Sequence, residues 1–189
     1  MNTPTHMLVG AALLAKPGAL QRNRAVLIGA LVPDALLFVM FGWSVALGRP
    51  QAEIWGSTYF DPGWQALFAI GNSIPLLAVL SLIAWRLGSP VALGLSLSAL
   101  LHAAFDFPLH ADDAHMHFWP LTAWRFESPV SYWDPAHYGW LVAPIEALVG
   151  LALIVILWRR FSHWIWRLGL LSCAAAYVLV PAFFLINLG

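Results

Sequence analysis

One stretch of the chain concentrates its ionisable side chains. The residues from Leu101 to Phe118 read LHAAFDFPLHADDAHMHF and include four of the seven histidines of the chain, together with three aspartates. Imidazole nitrogens and carboxylate oxygens are common ligands of zinc, and iron and manganese accept them too. A catalytic ion keeps one position for a water molecule that ionises near neutral pH. The stretch therefore predicts a hydrolytic centre with one or two divalent ions, most simply zinc.

The spacing within this stretch favours a shared helix face at its start. His102 and Asp106 are four residues apart, so on a helix they lie one turn above the other. His110 would extend the same face by another turn, but Pro108 removes a backbone hydrogen bond and disturbs the helix there. We predict His102, Asp106 and His110 as metal ligands, with Asp106 also a candidate catalytic carboxylate.

The last two histidines of the stretch are two residues apart instead of four. His115 and His117 cannot share a helix face, but both side chains would point to one side of an extended segment. We predict both as further metal ligands.

Three other apolar segments each bring an ionisable group to a similar depth. Asp34 lies about 14 Å into its segment and Glu146 about 12 Å into another, at about 1.5 Å per helical residue. Pro33 should free the carbonyl of Gly29 and kink or break its helix. His6 lies near the outer end of the first segment. Buried ionisable groups in a membrane usually face a partner or a wet cavity. We predict His6 and Asp34 as ligands, Asp34 and Glu146 as catalytic carboxylates, and a histidine as the partner of Glu146.

The composition indicates that these groups are held by membrane helices. The chain is 61% hydrophobic and 10% charged, its mean hydropathy is +0.77, and soluble proteins average about 25% charged residues. Its formal net charge is zero and no basic stripe is present, which argues against nucleic-acid binding. The expected surroundings are therefore a lipid bilayer.

The apolar segments define the predicted architecture. The first is too short to span a bilayer comfortably, which takes about 20 residues, and the others reach that length. We predict an all-α, polytopic bundle of five transmembrane helices plus a short N-terminal helix, forming one integral membrane domain over 1–189. The segments are 4–16, 25–47, 64–86, 90–109, 138–158 and 164–187.

Four predicted helix starts share one sequence pattern, in which a capping side chain is followed by proline at the first helical position. It occurs at Thr3-Pro4, Asp61-Pro62, Ser89-Pro90 and Asp134-Pro135.

The basic residues predict the orientation. Seven of the nine fall on one side of this topology, which the positive-inside rule assigns to the cytoplasm. The loops 48–63 and 110–137 then face outward from a bacterial inner membrane. The second loop is rich in tryptophan, as expected at a membrane interface. The seven residues are Lys16, Arg22, Arg24, Arg86, Arg159, Arg160 and Arg167, against Arg49 and Arg125 on the outer side.

Several of these residues also form a sequence pattern that is similar to the pattern of a known protein family. Thr5-His6 followed by Gly10, and then Gly29-x-x-x-Pro33-Asp34, resemble the opening of the LexA-binding, inner-membrane metal-dependent hydrolases. The block DDAHMHFWPLTAWRFESPVSYWDPAHYG resembles a subgroup of small bacterial membrane proteins associated with that family. The resemblance extends from His6 to Glu146 and implies a multi-helix inner-membrane protein with a hydrolase-like metal site.

On that resemblance, the ligand candidates carried over are His6, Asp34, His102 and Asp106. Typical members also carry a later His-Arg-Gly…Thr-His-Ser block. This chain has HAAFDFPLH in the comparable place, so the ligands there need not correspond.

Three functions are compatible with these features. The leading one is a metal-dependent hydrolase acting on an ester or phosphoester, with a lipid or another amphiphile as the natural substrate at this depth. A proton- or metal-coupled transporter would use the same groups, but the polar residues lie in the outer half with no matching inner relay. A non-catalytic membrane module, or a haem site formed by facing histidines, would also need them. The oligomeric state is open, since Gly94-x-x-x-Ser98 permits close packing within or between chains.

Overall fold

Every regular element of the described structure is helical. The structure is a computed structural model that describes the backbone of residues 1–188 and the side chains of residues 1–179. Seven helices form the framework. They are α1 (Thr3–Leu14), α2 (Leu20–Ala46), α3 (Pro62–Gly71), α4 (Ile74–Arg86), α5 (Pro90–Asp106), α6 (Gly139–Arg160) and α7 (Trp164–Leu188). Short turns occupy Gln51–Glu53, Ile54–Thr58 and Pro135–His137. The prediction of an all-α fold is confirmed.

Three stretches of the described chain are long and apolar enough to cross a membrane. They are Leu20–Ala46, Pro62–Arg86 and Gly139–Arg160, whereas α1 and α5 are apolar but shorter. Large apolar side chains cover the outside of the bundle, as at Trp43 and Leu148, which are 61% and 67% exposed. An apolar exterior of this extent favours lipid as its surroundings.

The predicted segment 64–86 is not one helix. α3 ends at Gly71 and α4 begins at Ile74, because the Ser73 hydroxyl accepts from the Leu76 amide at 3.2 Å and caps a new helix. The amide of Ile74 donates to the His117 carbonyl at 2.9 Å. The Ser73 hydroxyl also donates to the Trp119 carbonyl. The break therefore attaches the loop between α5 and α6 to the bundle.

The predicted caps hold at three of the four sites. Asp61, Ser89 and Asp134 each accept from a backbone amide at the start of the following helix or turn. The prediction for Thr3 is wrong, because Asn2 caps α1 by accepting from the Thr5 amide at 3.1 Å. Thr3 is thereby free to bond elsewhere.

α2 runs through Pro33 as one helix, so the predicted alternative of a broken helix at Pro33 is wrong. α5 ends at Asp106, two residues before Pro108, as the proline predicted.

Small residues allow three helices to approach closely. α5 makes its most extensive contact with α2, where a Cβ atom added to Gly29 would overlap the carbonyl oxygen of Leu95. Gly94 of α5 also faces α2, where an added Cβ atom would lie 3.2 Å from Cγ2 of Val26, and Gly10 of α1 faces Ser98. The Gly94-x-x-x-Ser98 pattern thus packs within one chain. This close packing brings the polar residues of α1, α2 and α5 together.

Replacing Gly29 with alanine should therefore separate α2 from α5. Overpacking of this kind costs about 1–3 kcal/mol, and Gly29→Ala should unfold at a lower temperature in detergent, measured by circular dichroism. Gly42→Ala is the matched control, because nothing lies within 4 Å of a Cβ atom at Gly42. Equal melting temperatures for the two variants would contradict the close approach.

Candidate metal centre

A buried carboxylate lies at the centre of the polar cluster. Asp106, the last residue of α5, is 2% exposed. Its Oδ1 lies 2.8 Å from Nε2 of His6, and its Oδ2 lies 3.0 Å from Nε2 of His102. The α-amino group of Met1 is 2.5 Å from Oδ1. Donor atoms of His6, His102 and Asp106 all lie within 4.8 Å of one another, and this group can hold a metal ion.

His102 has the arrangement of a metal ligand. Its Nδ1 lies 2.7 Å from the carbonyl oxygen of Ala30. A carbonyl only accepts, so Nδ1 carries the proton and the ring orientation is fixed. Its Nε2 is buried, lies 3.0 Å from Oδ2 of Asp106 and 3.5 Å from Oδ1 of Asp34, and makes no hydrogen bond of regular geometry among the described residues. Buried carboxylates around one nitrogen need a positive charge among them, from a proton or a metal ion.

The ring of His6 lies directly on that of His102. The two imidazoles stack with centroids 3.5 Å apart and planes 5° apart. α1 supplies His6 and α5 supplies His102, so the stack joins the two helices at the site. Both predicted ligands are thus brought to Asp106.

Asp34 of α2 lies at the edge of the group. Its Oδ1 is 3.5 Å from Nε2 of His102, and its Oδ2 accepts a hydrogen bond from the Thr3 hydroxyl at 2.6 Å. Asp34 was predicted from its depth. The role of Thr3 was missed, because its capping pattern pointed to another contact. The acceptor used by His102 is the carbonyl of Ala30, the residue after Gly29, whose carbonyl Pro33 was predicted to free.

Glu146 belongs to a separate polar contact. Its Oε1 accepts from the Asn2 amide at 2.8 Å and from the Thr5 hydroxyl at 2.6 Å. The Thr5 hydroxyl also lies 2.6 Å from the hydroxyl of Tyr177. The predicted histidine partner of Glu146 is therefore wrong, since hydroxyl and amide donors of α1 occupy that carboxylate oxygen. No local sequence pattern at Asn2 or Thr5 indicated this contact.

The loop between α5 and α6 brings a second group of histidines to the same end. Nδ1 of His110 lies 2.9 Å from Oδ2 of Asp113, and its Nε2 lies 3.6 Å from Oδ1 of Asp106. Burial lowers the pKa of His110, but the two carboxylates outweigh burial and raise that pKa to about 9. A proton on His110 thus balances these carboxylates.

His115 and His117 lie beside His110 but carry no such charge. Burial lowers the pKa of His115 to about 3 and that of His117 to about 4, so both rings are neutral at physiological pH. The prediction of an extended segment is wrong, because the His117 amide donates to the His115 carbonyl at 3.0 Å in a tight turn. The two ring centroids are nevertheless 5.8 Å apart.

The remaining acidic and histidine residues of the loop lie outside the cluster. Asp112 is exposed, and Asp134 pairs with Nδ1 of His137 at 2.5 Å near the start of α6. Asp112 and His137 therefore serve as matched controls for the buried residues.

No protein-family model, curated protein or solved structure matches this chain. The site is thus characterised by its own geometry.

This geometry predicts different effects for two buried carboxylates. Asp106→Asn should abolish stoichiometric metal binding, because an amide replaces the anionic oxygens between His6 and His102. Glu146→Gln should retain the metal, since the amide oxygen of glutamine still accepts from Asn2 and Thr5. Metal content of the detergent-purified variants, measured by mass spectrometry, checks both. Loss of metal in Glu146→Gln with retention in Asp106→Asn would contradict the assignment of Asp106 as a ligand and of Glu146 to a separate polar contact.

Proposed function

We propose that this chain is a metal-dependent hydrolase of the membrane, acting on an ester or phosphoester. The observation that carries the proposal is the buried His6, His102 and Asp106 group, in which Nε2 of His102 faces Oδ2 of Asp106 at 3.0 Å. Two imidazoles and a carboxylate leave a tetrahedral ion one position for water or substrate, as catalytic zinc sites do. Zinc is the proposed ion, with iron or manganese compatible with the same donors.

Different residues of the chain have different proposed roles in hydrolysis. A bound divalent ion would supply Lewis-acid polarisation and a water of lowered pKa. Asp106 and the two histidines would hold it, with the Ala30 carbonyl keeping Nε2 of His102 directed at the site. Asp34 is the proposed general base, because its Oδ1 faces His102 and Thr3 holds its other oxygen.

The substrate proposed for this site is a lipid or another amphiphile. A cleft of about 420 Å³ runs between α1, α5 and α6 and is lined mainly by apolar side chains, including Val9, Phe105 and Ile145. Met1 lines the same cleft, and its amino group contacts Asp106. An acyl chain in the cleft would thus lie beside the proposed metal centre.

The proposed setting is a bacterial inner membrane crossed five times. α5 and α7 would cross in addition to the three stretches already described, with α1 packed among them. This arrangement gathers most basic residues on the cytoplasmic side and puts the metal centre at the outer end of α5. The resemblance of Thr5-His6 and Gly29-x-x-x-Pro33-Asp34 to inner-membrane metal-dependent hydrolases supports the same assignment.

Hydrolysis by the purified protein tests the proposal. We expect the zinc-loaded protein in detergent to cleave at least one member of a panel of acyl esters and phosphoesters, and a chelator to remove the activity. Asp34→Asn should retain the metal and lower kcat by about 100-fold or more, as loss of a general base does. Asp112→Asn, the exposed control, should keep wild-type activity.

Two results would contradict the proposal. One is a metal-loaded, folded protein inactive across the panel. The other is metal transport into proteoliposomes that Asp34→Asn abolishes, which would instead identify a transporter.

A further inference from the structure

We infer that the loop between α5 and α6 forms a second cation site next to the first, with His110, His115 and His117 as its ligands. The inference deepens the proposed function, because it makes the hydrolytic centre a two-metal one. It rests on four observations: the spacing of the rings, their unpartnered nitrogens, their supporting hydrogen bonds and their distance from Asp106.

His115 lies between two other histidine rings at separations close to those of imidazoles on one ion. The centroids of His110 and His115 are 5.3 Å apart, and those of His115 and His117 are 5.8 Å apart. Zinc–nitrogen bonds are about 2.0–2.1 Å, so two imidazoles on one tetrahedral ion have ring centres about 5 Å apart. The rings of each pair do not stack, since their planes are 47° and 68° apart.

Each ring has one buried nitrogen without a hydrogen-bond partner in the described part of the chain. These nitrogens are Nε2 of His110, Nδ1 of His115 and Nε2 of His117. Buried polar atoms are nearly always paired, and three orphaned nitrogens on neighbouring rings form an unusual concentration. An ion that accepts their lone pairs would satisfy all three, and its positive charge would replace the proton on His110.

The opposite nitrogens of two rings are held by acceptors. Nδ1 of His117 lies 3.1 Å from the His115 carbonyl, which fixes the proton on Nδ1 and leaves a lone pair on Nε2. Nδ1 of His110 lies 2.9 Å from Asp113, whose Oδ2 also accepts from Nε1 of Trp133 at 3.0 Å. A carboxylate behind a histidine is the usual support of a metal ligand.

The backbone of this loop is hydrogen-bonded at both ends of the cluster. The carbonyl of His110 accepts from the Ser128 amide at 2.9 Å, and that of His117 accepts from the Ile74 amide at 2.9 Å. Arg125 Nη1 donates to the Ala114 carbonyl at 3.0 Å. The ligands are thus held by a fixed scaffold, as a metal site requires.

Asp106 connects the two positions. Nε2 of His110 is 3.6 Å from Oδ1 of Asp106, the oxygen that also faces His6. Carboxylates commonly bridge ions about 3.5–4 Å apart in two-metal hydrolases. His6, His102 and Asp106 form the one group of three whose donor atoms already lie within 4.8 Å among the described residues. The loop histidines must therefore turn slightly toward their ion, and the second ion should bind more weakly than the first.

Cobalt titration of the full-length, chelator-treated protein in detergent tests the inference. We expect two ions per chain in the wild type, bound in two steps that visible absorption resolves. His117→Gln should bind one ion in a single step, whereas His137→Gln, the loop control, should still bind two. Asp113→Asn should weaken the second step by about 10–100-fold, as loss of a supporting carboxylate does, with Asp112→Asn unchanged.

The outcomes separate this inference from the proposed function. A single ion in the wild type, retained in His117→Gln and lost in Asp106→Asn, would overturn the second site and leave the first intact. No bound ion in the folded wild type would overturn both. Two ions in both the wild type and His117→Gln would overturn the assignment of the ligands. If His117→Gln fails to fold, the comparison of Asp113→Asn with Asp112→Asn decides.

Discussion

A carboxylate buried at the end of an apolar helix is the constraint around which this structure is organised. An ionised group in such surroundings is costly unless opposite charge or donors surround it. Asp106 is 2% exposed, and His6 and His102 lie within 3.0 Å of its oxygens. His6 reaches it from α1, and His110 reaches within 3.6 Å of it from the loop between α5 and α6. The polar cluster thus fixes how α1 and this loop dock on α5.

The rest of the bundle provides the geometry that this carboxylate needs. Close approach of α2 and α5 at Gly29 brings the Ala30 carbonyl to the ring of His102, which then directs Nε2 toward Asp106. The interruption between α3 and α4 supplies an amide and a hydroxyl for the loop that contains His117. The interruption between α3 and α4 thus contributes to the positioning of the site.

The sequence predicted the parts of the site that depend on local spacing. His102 and Asp106 share a face because they are four residues apart, and Pro108 correctly marked the end of their helix. The contacts of Thr3 and Glu146 could not be predicted in this way, because they depend on which helices become neighbours. Pairing of Thr3 with Asp34 and of Thr5 with Glu146 joins residues separated by 31 and 141 positions. Helix capping was a sufficient local explanation for Thr3, so its tertiary contact with Asp34 was missed.

X-ray absorption of the protein loaded with one equivalent of zinc tests the central claim most directly. If His6, His102 and Asp106 hold the first ion, the zinc edge should show a shell of nitrogen and oxygen at about 2.0–2.1 Å with the outer-shell scattering of two imidazoles. His102→Ala should remove one imidazole or the ion itself. A shell of oxygen alone, or an unchanged spectrum in His102→Ala, would contradict the account.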